Sequence, residues 1–393
     1  MHIRQIREGI DVICNVDWGR RLFDSLIPLP DGTSYNAYIV YGSEGVALID
    51  SGDPCFREQF LKDIEPVKHV DFIVSQHAEQ DHSGLLPEMV ERYPKAPVLC
   101  SDKARDMLIT HLGIPAERIR VVADGEEVSL GDKTMKFVYT PWVHWPETMC
   151  TYVPELKTLF SCDFFGSHLA TSDLFVTDAA QVYEAAKRYF SEIMMPFSKT
   201  IVRNLAKVAA LDFDLIAPGH GPAFDNPAMI VDAYHEWTGP KMKNEVVLPY
   251  ISMHGSTKLM VDYLIDALAM RGVKVLPFDL AVTDIGKLAM SLVDTATIII
   301  GTPTVHVGVH PLVHYAAYLA NLLKPKVKYA AVIGSYGWGS KAVDQIVATI
   351  PNLKVDVLGA VTCKGVPTAE VYSELDSLAD AVAAAHKADE NVV

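Results

Sequence analysis

The sequence predicts an α/β protein of two domains, the second a doubly wound sheet of five parallel strands. Three observations carry this. The chain has 393 residues, whereas a single hydrophobic core stops growing near about 250–300 residues. From residue 246 onward, apolar strand-like runs alternate regularly with amphipathic helix-like runs, the pattern of a parallel sheet covered on both faces. Before that point, short strand-like runs broken by turn residues are interspersed with helical patterns, which reads as a layered α/β domain of different design.

Composition bounds the function. Half of the residues are hydrophobic and 21% are charged, as in an ordinary globular domain. A formal net charge of −15 argues against a general nucleic-acid binder, which needs a basic face. The cysteines are Cys14, Cys55, Cys100, Cys150, Cys162 and Cys363. None forms a C-x-x-C pair, so no zinc knuckle, rubredoxin-like iron site or dithiol motif is expected. Reduced core residues are the expectation. The first residues lack the apolar stretch of a signal peptide, and no run of about 18 apolar residues marks a membrane span. The expected location is the cytoplasm, without membrane or nucleic-acid partners.

In chain order, residues 36–41 and 46–50 flank Gly42-Ser-Glu-Gly45 and read as a hairpin. Helices are expected near 56–64, 84–93 and 102–112, and strands near 71–75, 135–140, 150–153 and 158–161. The polar segment 237–244 contains a Gly-Pro break, and the domains are drawn there, as 1–243 and 244–393. Beyond it, strands at 246–251, 273–280, 297–301, 327–334 and 355–360 alternate with helices at 258–271, 285–292, 311–323, 340–350 and 368–387.

The densest chemistry is the run His77-Ala-Glu79-Gln-Asp81-His82, read as a loop between a buried strand and a helix. No core needs two imidazoles and two carboxylates there. A metal ion does, because it requires deprotonated nitrogen and oxygen donors held together. Ordinary residue frequencies give such a run by chance in roughly one chain of this length in a thousand. Three more candidates stand where a strand or apolar run gives way to a loop: His144 in Pro141-Trp-Val-His-Trp-Pro146, Asp163 after 159–162, and His220 in Pro218-Gly-His-Gly-Pro222. Singly, each reads as a turn residue or a helix cap. His168, close in sequence to Asp163, either supports a ligand or only packs.

A second motif, Ser252-Met253-His254-Gly255-Ser256-Thr257, leaves the first parallel strand and opens a helix. Backbone N–H groups and hydroxyls at such a junction cradle phosphate, aided by the helix dipole. It is not G-x-G-x-x-G, which disfavours a nicotinamide dinucleotide. Two further loops leave strand carboxyl ends, where ligands of doubly wound sheets bind. They are Gly301-Thr302-Pro303-Thr304-Val305-His306 and Gly334-Ser335-Tyr336-Gly337-Trp338-Gly339.

In order and spacing, His77, Glu79, Asp81, His82, His144, Asp163 and His220 resemble the ligand set of the metallo-β-lactamase fold. Asp50 in Ala47-Leu-Ile-Asp50-Ser-Gly52 resembles that fold's early supporting aspartate. Zinc hydrolases of the fold usually carry His where this chain has Glu79. That departure, followed by a flavodoxin-like domain, resembles the flavodiiron proteins (A-type flavoproteins) over essentially the whole chain. The implied architecture is a metallo-β-lactamase-like αββα sandwich followed by a flavodoxin-like five-stranded parallel sheet.

The resemblance implies two non-haem irons. His77, Glu79 and His144 would hold the one nearer the flavin, Asp81, His82 and His220 the distal one, and Asp163 would bridge. Donor chemistry agrees: four imidazoles and three carboxylates give a charge of −3, suited to a metal cycling between divalent and trivalent states. Zinc has no such need, although it accepts carboxylates. Tyr189 resembles a family tyrosine that lines the substrate pocket, the alternative being a core tyrosine. Asp24 stands near where some relatives carry a histidine beside the irons. The three loops of the second domain resemble flavodoxin's FMN site, with Tyr336 or Trp338 placed to cover the isoalloxazine ring or simply to pack.

A flavin and two irons together hold four electrons, enough to take dioxygen to two waters or to reduce paired nitric oxide to nitrous oxide. The implied enzyme is an oxygen and/or nitric oxide reductase. It would be supplied by a separate donor such as rubredoxin or a reduced flavin-type cofactor. The implied assembly is a head-to-tail homodimer or dimer of dimers. The alternatives are a zinc hydrolase of the lactamase or glyoxalase kind and a plain FMN electron-transfer protein.

Overall fold

The computed structural model describes residues 3–393. Residues 1 and 2, at the start of the first predicted domain, lie outside the described residues. The chain forms two compact units, one running to Tyr189 and including Phe197–Thr238, the other comprising Phe190–Pro196 and Gly239–Val393.

The first unit contains a short two-stranded sheet, Leu22–Phe23 with Ile27–Pro28, and two large sheets whose strands lie side by side in chain order. Arg4–Arg7, Ile10–Asp17, Thr33–Tyr41, Val46–Ile49, Phe72–Val74, Val98–Cys100 and Ile119–Val121 make one. Glu127–Ser129, Thr134–Tyr139, Met149–Val153, Thr158–Cys162 and Leu215–Pro218 make the other. Side chains alternate between faces along a strand, and Thr33–Tyr41 uses both. Tyr38 and Val40 meet Val128, Met135, Phe137, Phe160 and Leu215 of the second sheet. Ala37 and Ile39 face the opposite way, with Leu48, Ile73 and Val98, against Phe60, Leu86, Met89 and Leu108 from flanking helices. Helices Ser198–Val208 and Ala228–Thr238 each bury one stripe. Tyr234 of the latter packs edge-on against Phe164 and Phe165, just past the strand Thr158–Cys162.

The second unit is built on one parallel sheet in the order Lys274–Asp279, Lys243–Tyr250, Thr295–Val305, Tyr329–Tyr336, Asp356–Lys364. Val246, Leu248, Ile299 and Ile333 face helices Ser256–Met270 and Ala369–Ala388 through Met260, Leu264, Leu375 and Val382. Val247, Ile298, Ile300 and Val332 face the other way, onto Leu288, Leu292, Val313, Ala317 and Ile346. Both faces are covered, as the apolar runs require. The order places the topological switch between Lys243–Tyr250 and Thr295–Val305.

Three expectations need correction. Asp81 and His82 are not in a loop: Gln80–Ser83 forms a single helical turn, with Glu79 as its N-cap residue. The helix expected over 84–93 is confined to Leu86–Arg92 and follows that turn separately. Pro87, with no N–H to donate, stands in its first turn. Thr302–Val305 is not a loop either. The strand Thr295–Val305 continues because Thr304 and Val305 pair with a return strand, Gly308–Val309. His306 lies in the turn between them, and Ser335 and Tyr336 end the next strand.

Candidate functional site

The seven predicted ligands converge in the first unit. Three of them lie just past strand ends: Asp163 directly after Thr158–Cys162, His220 beyond Leu215–Pro218 and His77 beyond Phe72–Val74. The helical turn Gln80–Ser83 brings Asp81 and His82 to the same place, and the loop after Thr134–Tyr139 brings His144. The ligand run is held from behind. Asp50, buried with φ 59°, accepts from the Gln76 backbone N–H and from Gln76 Nε2, both at 2.8 Å. Ser51 donates from its N–H at 2.7 Å and its hydroxyl at 2.8 Å to the His82 carbonyl.

Asp163 divides the cluster in two. Its Oδ2 lies 3.2 Å from His77 Nε2 and 3.4 Å from His144 Nε2. Its Oδ1 lies 2.8 Å from His82 Nε2 and 3.4 Å from His220 Nε2. Glu79 Oε2 sits 3.1 Å from His77 Nε2 and 3.0 Å from His144 Nε2, and Asp81 Oδ2 sits 3.1 Å from His220 Nε2. Donors held at about 2.1 Å from one ion are separated by about 3.0–3.4 Å when their angle lies between square and tetrahedral. Most of the observed spacings fall in that range. His77, Glu79, His144 and Asp163 form one group with metal-ligand spacing, and Asp81, His82 and His220 another.

Hydrogen-bond geometry points the same way. Both carboxylate oxygens of Asp81, both of Asp163 and Nε2 of His82 are buried, and although several of them stand close to one another or to neighbouring imidazoles, none makes a well-formed hydrogen bond. Such groups are costly unless something else satisfies them. A pair of cations would. Electrostatics shows the same demand in protons. Burial opposes charge on His220, yet Asp163 and Asp81 outweigh it and raise the imidazole to about 10. Burial likewise opposes charge on His77, and the Glu147 and Glu79 carboxylates override it. The residues present fit a two-metal group.

Gly219 allows this crowding. A Cβ there would lie 2.6 Å from His82 Cε1. His168 is buried beside the cluster, with Nδ1 2.9 Å from Thr33 Oγ1 and its ring 4.9 Å from that of His220 and 4.8 Å from that of Tyr189. Burial and the neighbouring His220 hold its pKa well below the ordinary histidine value. Burial and the nearby Asp163 carboxylate push the Tyr189 phenol well up. Asp24 is exposed at φ 48°.

Sequence reading missed two partners of the predicted ligands. Glu147 Oε1 accepts from His77 Nδ1 at 2.7 Å, and the Ser34 carbonyl accepts from His220 Nδ1 at 2.7 Å. The acid just past His144-Trp-Pro was the available signal for the first. A backbone carbonyl has none.

In the second unit the three predicted loops meet at the carboxyl ends of adjacent strands. Ser252 Oγ accepts from the N–H groups of Gly255 and Lys258, both at 3.2 Å, and Gly255 turns into the helix at φ 92°. Thr257 Oγ1 lies 2.9 Å from Ser335 Oγ, tying the first loop to the third. Thr304 donates at 2.8 Å to Oγ of Ser340, the residue that follows the third loop. Thr302 is buried, its hydroxyl donating to the Pro303 carbonyl at 2.8 Å. Met253, His254 and Gly337 are exposed, and Trp338 is 83% exposed, so Trp338 is not a packing residue of this unit.

Comparison with known proteins identifies the family. A family model described as ODP family beta lactamase matches residues 33–221. The nitric oxide reductase of Moorella thermoacetica is 32% identical over 392 residues, covering 96% of this chain and 98% of that one. The rubredoxin oxygen:oxidoreductase of Desulfovibrio gigas superposes with a TM-score of 0.94 at 28% identity, over 98% of this chain and 99% of that one. The flavodiiron protein of Giardia intestinalis does so with a TM-score of 0.92 at 28% identity, over 100% and 99%. The chain belongs to the flavodiiron proteins. It is therefore an oxidoreductase with a metallo-β-lactamase-like domain and a flavodoxin-like domain, and membership implies flavin and iron as its cofactors. Among the described residues of this flavodiiron protein, no helix is long and apolar enough to cross a membrane.

Proposed function

We propose that this flavodiiron protein reduces dioxygen to water and/or nitric oxide to nitrous oxide. The observation that carries the reading is the division of Asp163, whose two oxygens face two separate ligand groups. His77, Glu79 and His144 would hold one iron, Asp81, His82 and His220 the other, with Asp163 between them. FMN would take the second unit, its phosphate on Ser252–Thr257 and its ring between Thr302–His306 and Ser335–Gly339. Bound iron and FMN supply electron storage and polarisation of the diatomic substrate.

The chain's own residues do the rest. Seven side chains would supply the donors, and Asp50 and Ser51 anchor the run that carries four of them. His168 and Tyr189 wall the cluster on the His220 side, and burial with the nearby Asp163 carboxylate keeps the Tyr189 phenol protonated, so that it would serve as a hydrogen-bond donor in a substrate pocket there. Glu79, where zinc hydrolases of the fold usually carry His, adds charge that a redox-cycling ion uses and a hydrolytic zinc does not.

Electrons would come from a separate donor, a rubredoxin or a reduced flavin-type cofactor. The assembly would be a head-to-tail homodimer or a dimer of two such dimers. The described cysteines are all free, which suits the cytoplasm. The test is anaerobic reconstitution with ferrous salt and FMN, followed by gas-electrode measurement of oxygen and nitric oxide consumption with one chemically defined reductant. Two irons and one FMN per chain with turnover of either gas are expected. A fully loaded protein that consumes neither would end the proposal.

A further inference from the structure

One buried acid beside the cluster has no place in the ligand set. Glu147 is 2% exposed, and its carboxylate reaches back to His77. Oε1 accepts twice, from His77 Nδ1 at 2.7 Å and from the Ala78 N–H at 3.0 Å. Its backbone is also pinned, since the Ser101 hydroxyl donates to the Glu147 carbonyl at 2.6 Å. Oε2 is buried without a hydrogen-bond partner. The one ion-pair partner Glu147 has among the described residues is His77. A buried carboxylate is expensive without positive charge close by, and this one can meet such charge only through that ring.

The bond fixes chemistry as well as place. With Nδ1–H committed to Glu147, the lone pair of His77 lies on Nε2, the atom that faces Glu79 and Asp163. His220 is oriented in the same sense, but by a neutral acceptor, the Ser34 carbonyl at 2.7 Å. A carboxylate behind an imidazole makes it more basic than a carbonyl does. The two halves of the cluster are thus built with unequal donors.

The geometry points to Glu147 as a positioning residue that makes the His77–Glu79–His144 half the tighter and more electron-rich of the two. This rests on the proposed reading of His77 as a ligand. It implies that the iron held there binds more tightly and is harder to reduce than its neighbour.

Glu147→Gln separates charge from shape, because an amide oxygen can keep both hydrogen bonds that Oε1 accepts. The full chain, reconstituted anaerobically, is titrated with ferrous iron against a chelator, and its stepwise reduction is followed by electron paramagnetic resonance. Relative to wild type, one of the two iron dissociation constants should rise about 10–100-fold. The midpoint of the matching reduction step should move to more positive potential. FMN content and far-ultraviolet circular dichroism equal to wild type certify the fold. Glu147→Asp, which keeps the charge at a longer reach, should fall between the two. Variants that match wild type in both affinity and midpoint overturn the positioning role. His77→Ala tests the reading beneath it. Both irons kept at wild-type affinity would remove His77 from the ligand set. One iron lost there, with Glu147→Gln unchanged, would remove only the role of Glu147.

Discussion

Asp163 Oδ1 lies 2.8 Å from His82 Nε2 while the opposite oxygen of the same carboxylate lies 3.2 Å from His77 Nε2. One side chain therefore serves both halves of the cluster. Replacing it should affect both irons together, whereas any other ligand belongs to one half. Asp163→Ala should leave less than half the wild-type iron and lower gas consumption at least about 100-fold. FMN content should be unchanged. Elemental analysis of the variant beside Asp81→Ala and Glu79→Ala checks this, and loss of a single iron from Asp163→Ala would contradict it.

Asp50 acts on the ligands through Gln76. Both donors it accepts are buried, one a backbone N–H immediately before His77. Asp50→Ala would strand them. Each stranded buried donor costs about 1–3 kcal/mol, so urea unfolding of the variant should show a loss of about 2–6 kcal/mol. Iron content should fall as well, because the residue that carries His77 loses its anchor.

Much of this cluster was legible in the sequence for a physical reason. His77, Glu79, Asp81 and His82 sit within six consecutive residues, and no packing demand explains that density. The alternating apolar runs after residue 246 were legible because a sheet buried on both faces needs them. What was hidden depends on contacts distant in sequence. Glu147 is 70 positions from His77, and Ser34 is 186 from His220. The extension of Thr295–Val305 was hidden too, since it exists only because Gly308–Val309 folds back to pair with it. Turn residues such as Pro303 and Thr304 read locally as a loop.

Gly219 is a packing requirement that can be tested by one methyl group. Its Cβ would meet His82 Cε1 at 2.6 Å and Nδ1 at 3.0 Å. The imidazole must then move off Asp163, at a cost of about 1–3 kcal/mol. Gly219→Ala should bind one iron normally and the other more weakly. Calorimetric titration with ferrous iron checks this, and two unchanged binding steps would mean that His82 is not needed.

The second unit should carry its own acid limit. Asp389 is buried, and its Oδ2 lies 2.7 Å from Lys328 Nζ and 3.1 Å from the Tyr329 hydroxyl. Lys328 and the backbone N–H of Asn391 hold its carboxyl down to about 2. A carboxyl depressed in the folded state binds fewer protons there than in the unfolded chain. Its contribution is complete above the ordinary aspartate value and is lost as pH falls through about 2. Lys328 is half exposed to solvent, so the screened contribution is on the order of 1 kcal/mol. Asp389→Asn should lower stability by that amount at pH 7. The difference from wild type should close between about pH 4 and pH 2. Denaturant unfolding of both proteins across this range, followed by FMN fluorescence, measures it.

Ser252 offers the corresponding test of the flavin loops. Its hydroxyl accepts from the N–H groups of Gly255 and Lys258 at 3.2 Å each, which sets the shape of the loop before the helix Ser256–Met270. A phosphate bound there would draw on the same N–H groups and on the positive end of the helix. Ser252→Ala removes the internal acceptor and leaves the loop less ordered, so FMN should bind about 10-fold more weakly, or about 1.4 kcal/mol. Iron content should remain that of wild type, because the two groups of residues lie in different units. Quenching of FMN fluorescence on titration into the flavin-free protein gives the constant. Equal affinities in wild type and variant would move the phosphate elsewhere, and riboflavin binding as tightly as FMN would show that no phosphate site is used.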